Sequence, residues 1–549
     1  MTGECTEDGA AGRGRVGSAV RRLGSAVPVD ARDRVWLALG VLPGVVAVAV
    51  YLATNPYPAH GAGLYTKIAG EILANGYAPP ARIPGYTAAG VPFAYPPLQF
   101  YVFATLLDLG ADPLAVARLL PGVAVVAFLV PIYLLGRDLA DSRPAGTAAA
   151  AMVALNPQIL EWHVTAGGIV RAFGFLYALV AVSAGYRVFA GRTPEGRTPR
   201  GAVAVAGVAF GLTLLTHPVY SLFVVASLVL FWAVSDRSPR GLGRGLAVGL
   251  GGTLLAAPWL WWVVATHGPG VFAAASGTHG GVGGGSGALV GDLSVGLEVV
   301  VVAAVYLASR RAFLLPAWFV AVELLFVQPR FAYTVGAVLV AAAAVAVVRA
   351  RGVGSGRVES GTVASGSGAL DGVDRRAAAA AAVIVLGTVV GGGYFAYEAT
   401  LASDPSTPEY IDSDSVAAME WAAAETDPEA TFVVLGDAAE WFPALTDRTI
   451  LVGHWGVEWE TPAAFERQEA AYEAVSRCDT VDCVERETAR VGDDAPAYVY
   501  VPKGQYTIRG EAFVQSGAVE RAFGRADSWE RAYENDGVVI YESTGRSAG

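Results

Sequence analysis

PGYTAAGVPFAYPPLQFY, residues 84–101, leads through two adjacent prolines into an apolar run that ends near Leu109. From Pro96 the run is about 14 residues long, whereas a helix needs roughly 20 to cross a ~30 Å hydrocarbon core. It is too apolar for an ordinary surface loop and too short for a span. Its reading decides the fold, because one crossing here inverts every loop that follows.

The chain has 549 residues, 54% hydrophobic and 16% charged, and its apolar blocks recur over residues 35–400. Spans are predicted near 35–54, 114–135, 145–160, 169–190, 201–216, 219–235, 245–265, 289–308, 312–327, 331–348 and 377–399. That pattern makes a polytopic α-helical membrane protein with about 11 transmembrane helices. Arginines gather in the amino-terminal segment, GRDLADSR (136–143), GRTPEGRTPR (191–200), SDRSPRGLGR (235–244), SRR (309–311) and 349–376. Short loops rich in arginine stay cytoplasmic. All of these share one side only if residues 96–109 do not cross. The run is therefore expected to lie along the outer face or to be re-entrant there, with proline in its first turn, where a missing N–H costs nothing.

The expected organisation follows. Residues 1–34 form a cytoplasmic Arg-rich segment, with no secretory cleavage pattern after it. Residues 35–400 form the membrane domain, with 55–113 as a large first external loop. THGGVGGGSG (278–287) is an external loop and 349–376 a Gly/Ser-rich cytoplasmic linker. After residue 400 the periodicity changes. SVAAMEWAAAE and TPAAFERQEAAYEAVSR read as helices, and TFVVLG, TILVG and AYVYV as short strands. WERAYENDGVVIYES reads as a hairpin turning at Asn535-Asp536-Gly537. Residues 401–549 thus form an acidic extracytoplasmic α/β domain.

That tail holds 29 carboxylates against 11 basic side chains, a net charge of −18, which leaves +7 on the rest of the chain and −11 in all. Lys67 and Lys503 are the two lysines. An acidic, lysine-poor surface resembles that of haloarchaeal proteins, and it argues against nucleic acid as a partner, since phosphate backbones need a basic face. Cys478 and Cys483 stand in CDTVDC, while Cys5 lies near the amino terminus. The pair makes a poor zinc site. In an external tail it suits a local disulfide, with free thiols as the alternative.

LYTKIAGEILANGYAPP (64–80) followed by VPFAYPPLQFY (91–101) resembles the GT-C superfamily of membrane glycosyltransferases, which includes protein mannosyltransferases, aminoarabinose transferases and oligosaccharyltransferases. AGGIVRAFGFLYAL (166–179), GLTLLTHPVYSLF (211–223), QPRFAYTVGAVL (328–339) and residues 418–459 extend the resemblance. It implies transfer of a sugar from a polyprenyl-phosphate-linked donor to a lipid, glycan or protein acceptor at the external face of the membrane. No cofactor is implied, and a divalent metal is left open. Such chemistry needs cations on the leaving phosphate and a carboxylate to take the acceptor's proton.

Arg171 and Arg330 stand at the external ends of their spans, where guanidinium forks suit phosphate; snorkelling to headgroups is the alternative. Arg118 and Lys67 are weaker candidates. The superfamily's acid shortly before the "LY" helix is missing, since that stretch reads PYPAHGAGLY (56–65). His60 can take a proton there. Glu71 can substitute, or simply pair with Lys67 at i,i+4. Glu161, beside Trp162 and His163, is the other acid candidate, with the Trp162 indole and His163 as sugar contacts. His217 marks a turn between two spans, and Glu323 lies inside one. In the tail, Asp437, Glu440, Trp441, His454, Trp455, Glu458 and Trp459 gather as an acceptor surface or as a folded acidic surface with its tryptophans in the core. The oligosaccharyltransferase WWDYG motif is absent there, so sequon recognition is not implied. A non-catalytic GT-C-fold protein that binds lipid-linked glycans, or a lipid or glycan transporter, are the alternative functions.

Overall fold

A computed structural model describes residues 31–190, 200–278, 295–352, 375–400 and 407–546. The amino-terminal segment to residue 30, Cys5 included, lies outside the described residues, as do 191–199, most of the loop at 278–287 and most of the linker at 349–376. The protein is a polytopic membrane protein. Among the described residues six helices are long and apolar enough to cross a membrane: Ala31–Thr54, Pro113–Ala140, Gly168–Phe189, Pro218–Ser235, Pro239–His267 and the Pro329–Ala350 stretch. Arg200–Leu214, Val295–Ser309 and Leu314–Leu325 have 15, 15 and 12 residues. The span expected at 145–160 is broken into two helices, Arg143–Ala154 and Pro157–Val164, which together run from the Arg143–Asp33 pair at one end to the Ala166 N–Ala59 O hydrogen bond at the other. Pro157 removes a backbone donor and pushes Asn156 out of the helical region, which breaks the run there. Arg375–Thr400 is continuous over 26 residues.

The arginine-rich segments that are described do meet at one end of the bundle. Asp33, in the first turn of its helix, accepts from Arg143 Nε at 2.9 Å, Arg137 Nη1 at 3.1 Å and Tyr133 Oη at 3.0 Å. Asp138 bridges Arg137 and Arg187 at 2.7 Å each. Arg310, Arg311 and Arg349 line one cleft with Leu139 and Val234. Helices approach closely here because small residues face each other: a Cβ on Gly146 would stand 2.5 Å from the Tyr133 carbonyl oxygen.

At the other end, the opening stretch is an 11-residue helix, Leu98–Asp108, about 16 Å long at 1.5 Å per residue. It does not span. Pro97 caps it, and its first N–H, on Leu98, donates to the Leu215 carbonyl at 2.9 Å. Phe93, Phe100 and Phe103 are buried in one core with Trp441, Phe442 and Tyr500 from the carboxy-terminal region. Each such ring contributes roughly 1.5–3 kcal/mol by leaving water. The backbone is stitched as well. Ile450 N donates to Gly85 O at 2.8 Å, His60 N to Pro408 O at 2.8 Å, and Ala59 bridges Glu409. Residues 84–101 are thus the seat on which the sheet region rests.

That region carries a five-stranded mixed sheet in the order Thr449–Ile450, Thr431–Val434, Tyr498–Pro502, Val538–Ser543, Trp529–Glu534. The first three run parallel and the last two pairings are antiparallel, with Val499 opposite Tyr541 and Val501 opposite Val539. The expected hairpin turns as read: Asn535 Oδ1 accepts from Val538 N at 2.7 Å and Gly537 N at 3.1 Å. A second hairpin, Gln505–Ile508 with Ala512–Gln515, and the helices Val481–Thr488 and Gly517–Phe523 were not expected. Their segments are short and polar, which weakens any periodic signal. Cys478 and Cys483 form a disulfide with Cα atoms 5.5 Å apart. Closing so short a loop stabilises modestly, so Cys478→Ser/Cys483→Ser is expected to cost about 2 kcal/mol, measurable by chemical unfolding of the wild type and double variant.

Candidate active site

Two helix starts place the arginines. Pro329 opens its helix with Arg330 one residue behind, and Gly168 opens the next with Arg171 in the first turn. Arg330 is 6% exposed, and its guanidinium lies 5.4 Å from the Tyr220 ring centre and 5.5 Å from that of Phe331. Among the described residues its Nε has no hydrogen-bond partner. A buried cation with an unpaired donor is costly unless something else completes it. Arg171 lies 5.0 Å over the Trp162 ring, which in turn stacks on His60 at 6.5 Å with 6° between planes. Neither guanidinium closes a salt bridge among the described residues. Both lie within electrostatic reach of Tyr220 and His163, and of each other.

First-loop aromatics complete the surroundings. The Tyr65 and Tyr95 rings lie 6.0 Å apart, and both are within electrostatic reach of Arg171 and Glu458. The Tyr95 ring lies 5.5 Å from Trp459 and 6.4 Å from His217, which packs 4.8 Å from Tyr220. A carboxylate reaches this group from the sheet region. Glu440 ends a 3-10 turn, Asp437–Glu440, and Tyr86 Oη donates to its carbonyl at 2.6 Å. Its side chain is buried, and its carboxyl is pushed up to about 8. Burial is the main cause, with Asp437 and Glu458 adding repulsion, while Arg171 and a hydrogen bond from Trp455 act the other way.

No family model and no curated protein matches the chain. Solved structures do. The archaeal oligosaccharyltransferase AglB from Archaeoglobus fulgidus, in complex with an inhibitory peptide and a dolichol-phosphate, aligns at TM-score 0.52 and 15% identity over 85% of this chain and 69% of that one. ArnT from Cupriavidus metallidurans, bound to undecaprenyl phosphate, aligns at TM-score 0.51 and 14% identity over 93% of this chain and 98% of that one. Arabinofuranosyltransferase AftD from Mycobacteria aligns at TM-score 0.57 and 15% identity, covering 94% of this chain but 40% of its own. The chain has the GT-C fold.

Within that GT-C fold the expected site residues separate. Arg171, Arg330, His60 and Trp162 come together, with His217 close by at Tyr95 and Tyr220. Lys67 and Glu71 do form the i,i+4 pair, at 3.1 Å, and Lys67 also binds Asp447 at 2.6 Å. This ammonium pins the first loop to the sheet region. Arg118 Nε donates to Asn55 O at 2.7 Å, capping the carbonyl end of Ala31–Thr54. Glu161 is half-buried, and burial alone pushes its carboxyl up, with no arginine acting on it. His163 is not beside Trp162's open face but buried, bonded to Tyr220 Oη at 2.8 Å and packed on Phe175. Glu323 is partly buried in Leu314–Leu325.

The tail cluster is mostly core. Trp441 is fully buried and presents no face to a ligand. His454 stacks 4.4 Å from Trp455, and burial pulls it down to about 3, so it is neutral. Asp437 accepts from Tyr472 Oη at 2.5 Å, Arg509 N at 2.7 Å and Gly510 N at 2.8 Å, which ties the second hairpin down. Among the described residues no three His, Cys, Asp or Glu side chains converge as metal ligands. The apolar cavity of about 760 Å³ between Trp36, Pro144, Ala341 and Val389 includes Arg349, so it belongs to the arginine end and not to this site.

Proposed function

We propose that the chain is a membrane glycosyltransferase that moves a sugar from a polyprenyl-phosphate carrier to an acceptor at the external face. The observation that carries this is the pair Arg171 and Arg330, above all the unpaired, buried Nε of Arg330. The departing carrier phosphate supplies the acceptor oxygens that this donor lacks, and it does so where charge develops as the sugar is transferred. The dolichol-phosphate held by AglB and the undecaprenyl phosphate held by ArnT support a carrier of that class. His60, Trp162, Tyr65 and Tyr95 offer ring faces and hydroxyls to a sugar.

In this reading the chain crosses 11 times, as the arginine distribution implies. The amino terminus is cytoplasmic and the sheet region outside. Cysteines substituted at the exposed positions Glu511 and Arg310 are then expected to differ: the first labels in intact cells, the second only after permeabilisation. Equal labelling from outside overturns the orientation. The activity is tested by mass spectrometry of surface glycoproteins and glycolipids from a deletion strain, restored with wild type or Arg330→Ala. A missing glycan regained only with wild type supports transfer. Unchanged glycans in every strain favour a binding or transport role.

A further inference from the structure

Residues 55–62, NPYPAHGA, carry no carboxylate, yet one occupies the space above them. A Cβ added to Gly61 would stand 1.5 Å from Glu440 Oε2 and 1.9 Å from its Cδ. One added to Gly63 would stand 1.9 Å from the Glu440 carbonyl oxygen. Two glycines thus clear a path by which a side chain of the sheet region enters the first loop, and its carboxylate lies where a side chain of residue 61 would begin. We propose that Glu440, reaching over Gly61, is the base that takes the acceptor's proton during transfer. This rests on the transferase reading above.

Elimination supports the choice. Glu71 is held by Lys67, Asp437 is held by three donors, and Glu161 feels neither arginine. Glu440 lies within electrostatic reach of Arg171, Tyr65 and Tyr410, with Asp437, Glu458 and Trp455 also acting on it. The step balances. The acceptor O–H proton passes to the Glu440 carboxylate while the oxygen's electron pair forms the bond to the anomeric carbon. The bond from that carbon to the phosphate oxygen breaks, and its electrons leave with polyprenyl phosphate at Arg171 and Arg330. Glu440 then releases the proton to water. A carboxyl titrating near 8 is matched to that task at neutral to mildly alkaline pH.

The test uses the full chain returned to the deletion strain, with glycan product by mass spectrometry and dolichyl-phosphate binding by purified protein. Glu440→Gln is expected to lower product about 100-fold or more while dolichyl-phosphate binding stays near wild type. Gly61→Asp/Glu440→Ala supplies a carboxylate to the same space from the loop side. It is expected to recover at least about tenfold over Glu440→Ala, with the rising limb of the pH–rate profile moved to lower pH. Should Glu440→Gln not be made, this second variant decides: no product from a carrier-binding double variant overturns the assignment. Wild-type product from Glu440→Gln, with Arg330→Ala inactive, overturns Glu440 and leaves transfer standing. If the deletion itself alters no glycan, the transferase reading fails and Glu440 falls with it.

Discussion

Purified Arg330→Ala is expected to bind dolichyl phosphate about 100-fold more weakly than wild type, a loss of about 2.7 kcal/mol. Buried, charge-assisted hydrogen bonds of a guanidinium to a phosphate are among the stronger polar contacts, and removing one side of such a pair costs about 2–5 kcal/mol. Arg171 is more open to solvent, so Arg171→Ala is expected to lose about tenfold. Arg330→Lys keeps the charge but not the fork and falls between. Unliganded Arg330→Ala, in contrast, is expected to melt no lower than wild type. Its guanidinium gains from the Tyr220 and Phe331 rings but leaves Nε unpaired, so the empty site is poorly satisfied. Weaker carrier binding without loss of stability is the signature of a ligand-directed charge. Unchanged binding of dolichyl phosphate overturns the role; titration of the lipid into detergent-solubilised protein measures it.

Much of the fold was legible from two periodicities and one charge rule. The short apolar run after Pro96-Pro97 is the 11-residue helix Leu98–Asp108. The strands at Phe432, Tyr500 and Ile540 show as β-branched and aromatic runs because burial on both faces demands them. What failed was local. Pro157 breaks a stretch whose hydropathy alone reads as a span. The arginines of the candidate site stand out in the sequence, since a charge beside a membrane span needs a reason. The candidate carboxylate does not. Glu440 lies almost 380 residues from Gly61 in sequence, and the only local sign of their meeting is the pair of glycines at 61 and 63. A small residue marks space without saying what fills it. The candidates Glu161 and Glu71 were local to the loops, and so were visible. His163 and Trp441 stand in suggestive company in the sequence, yet both are buried, and the partly buried His454 stacks on Trp455.

At pH 9 Glu440→Gln is expected to be more stable than wild type by about 3–5 kcal/mol, and at pH 4 the two are expected to unfold together. The sign follows from the carboxyl's two environments. Unfolded, it titrates near 4.5; folded, near 8. Between those values the native state keeps a proton that the unfolded chain releases, so stability falls as pH rises through that window and is flat above it. Below about 4.5 both states are protonated and the contribution vanishes. Glutamine imitates the protonated form at every pH and escapes the loss. Asp437, also raised by burial, titrates in both proteins, and its repulsion of Glu440 is part of the Glu440 shift already counted. Tryptophan fluorescence during thermal unfolding at the two pH values reads it, and an equal difference at both would sink the argument. A carboxylate that weakens the fold at working pH, where an amide would strengthen it, fits a chemical role better than a structural one. Gln at 440 therefore separates the two roles: a purely structural acid would leave product intact in the more stable variant, whereas a base loses it.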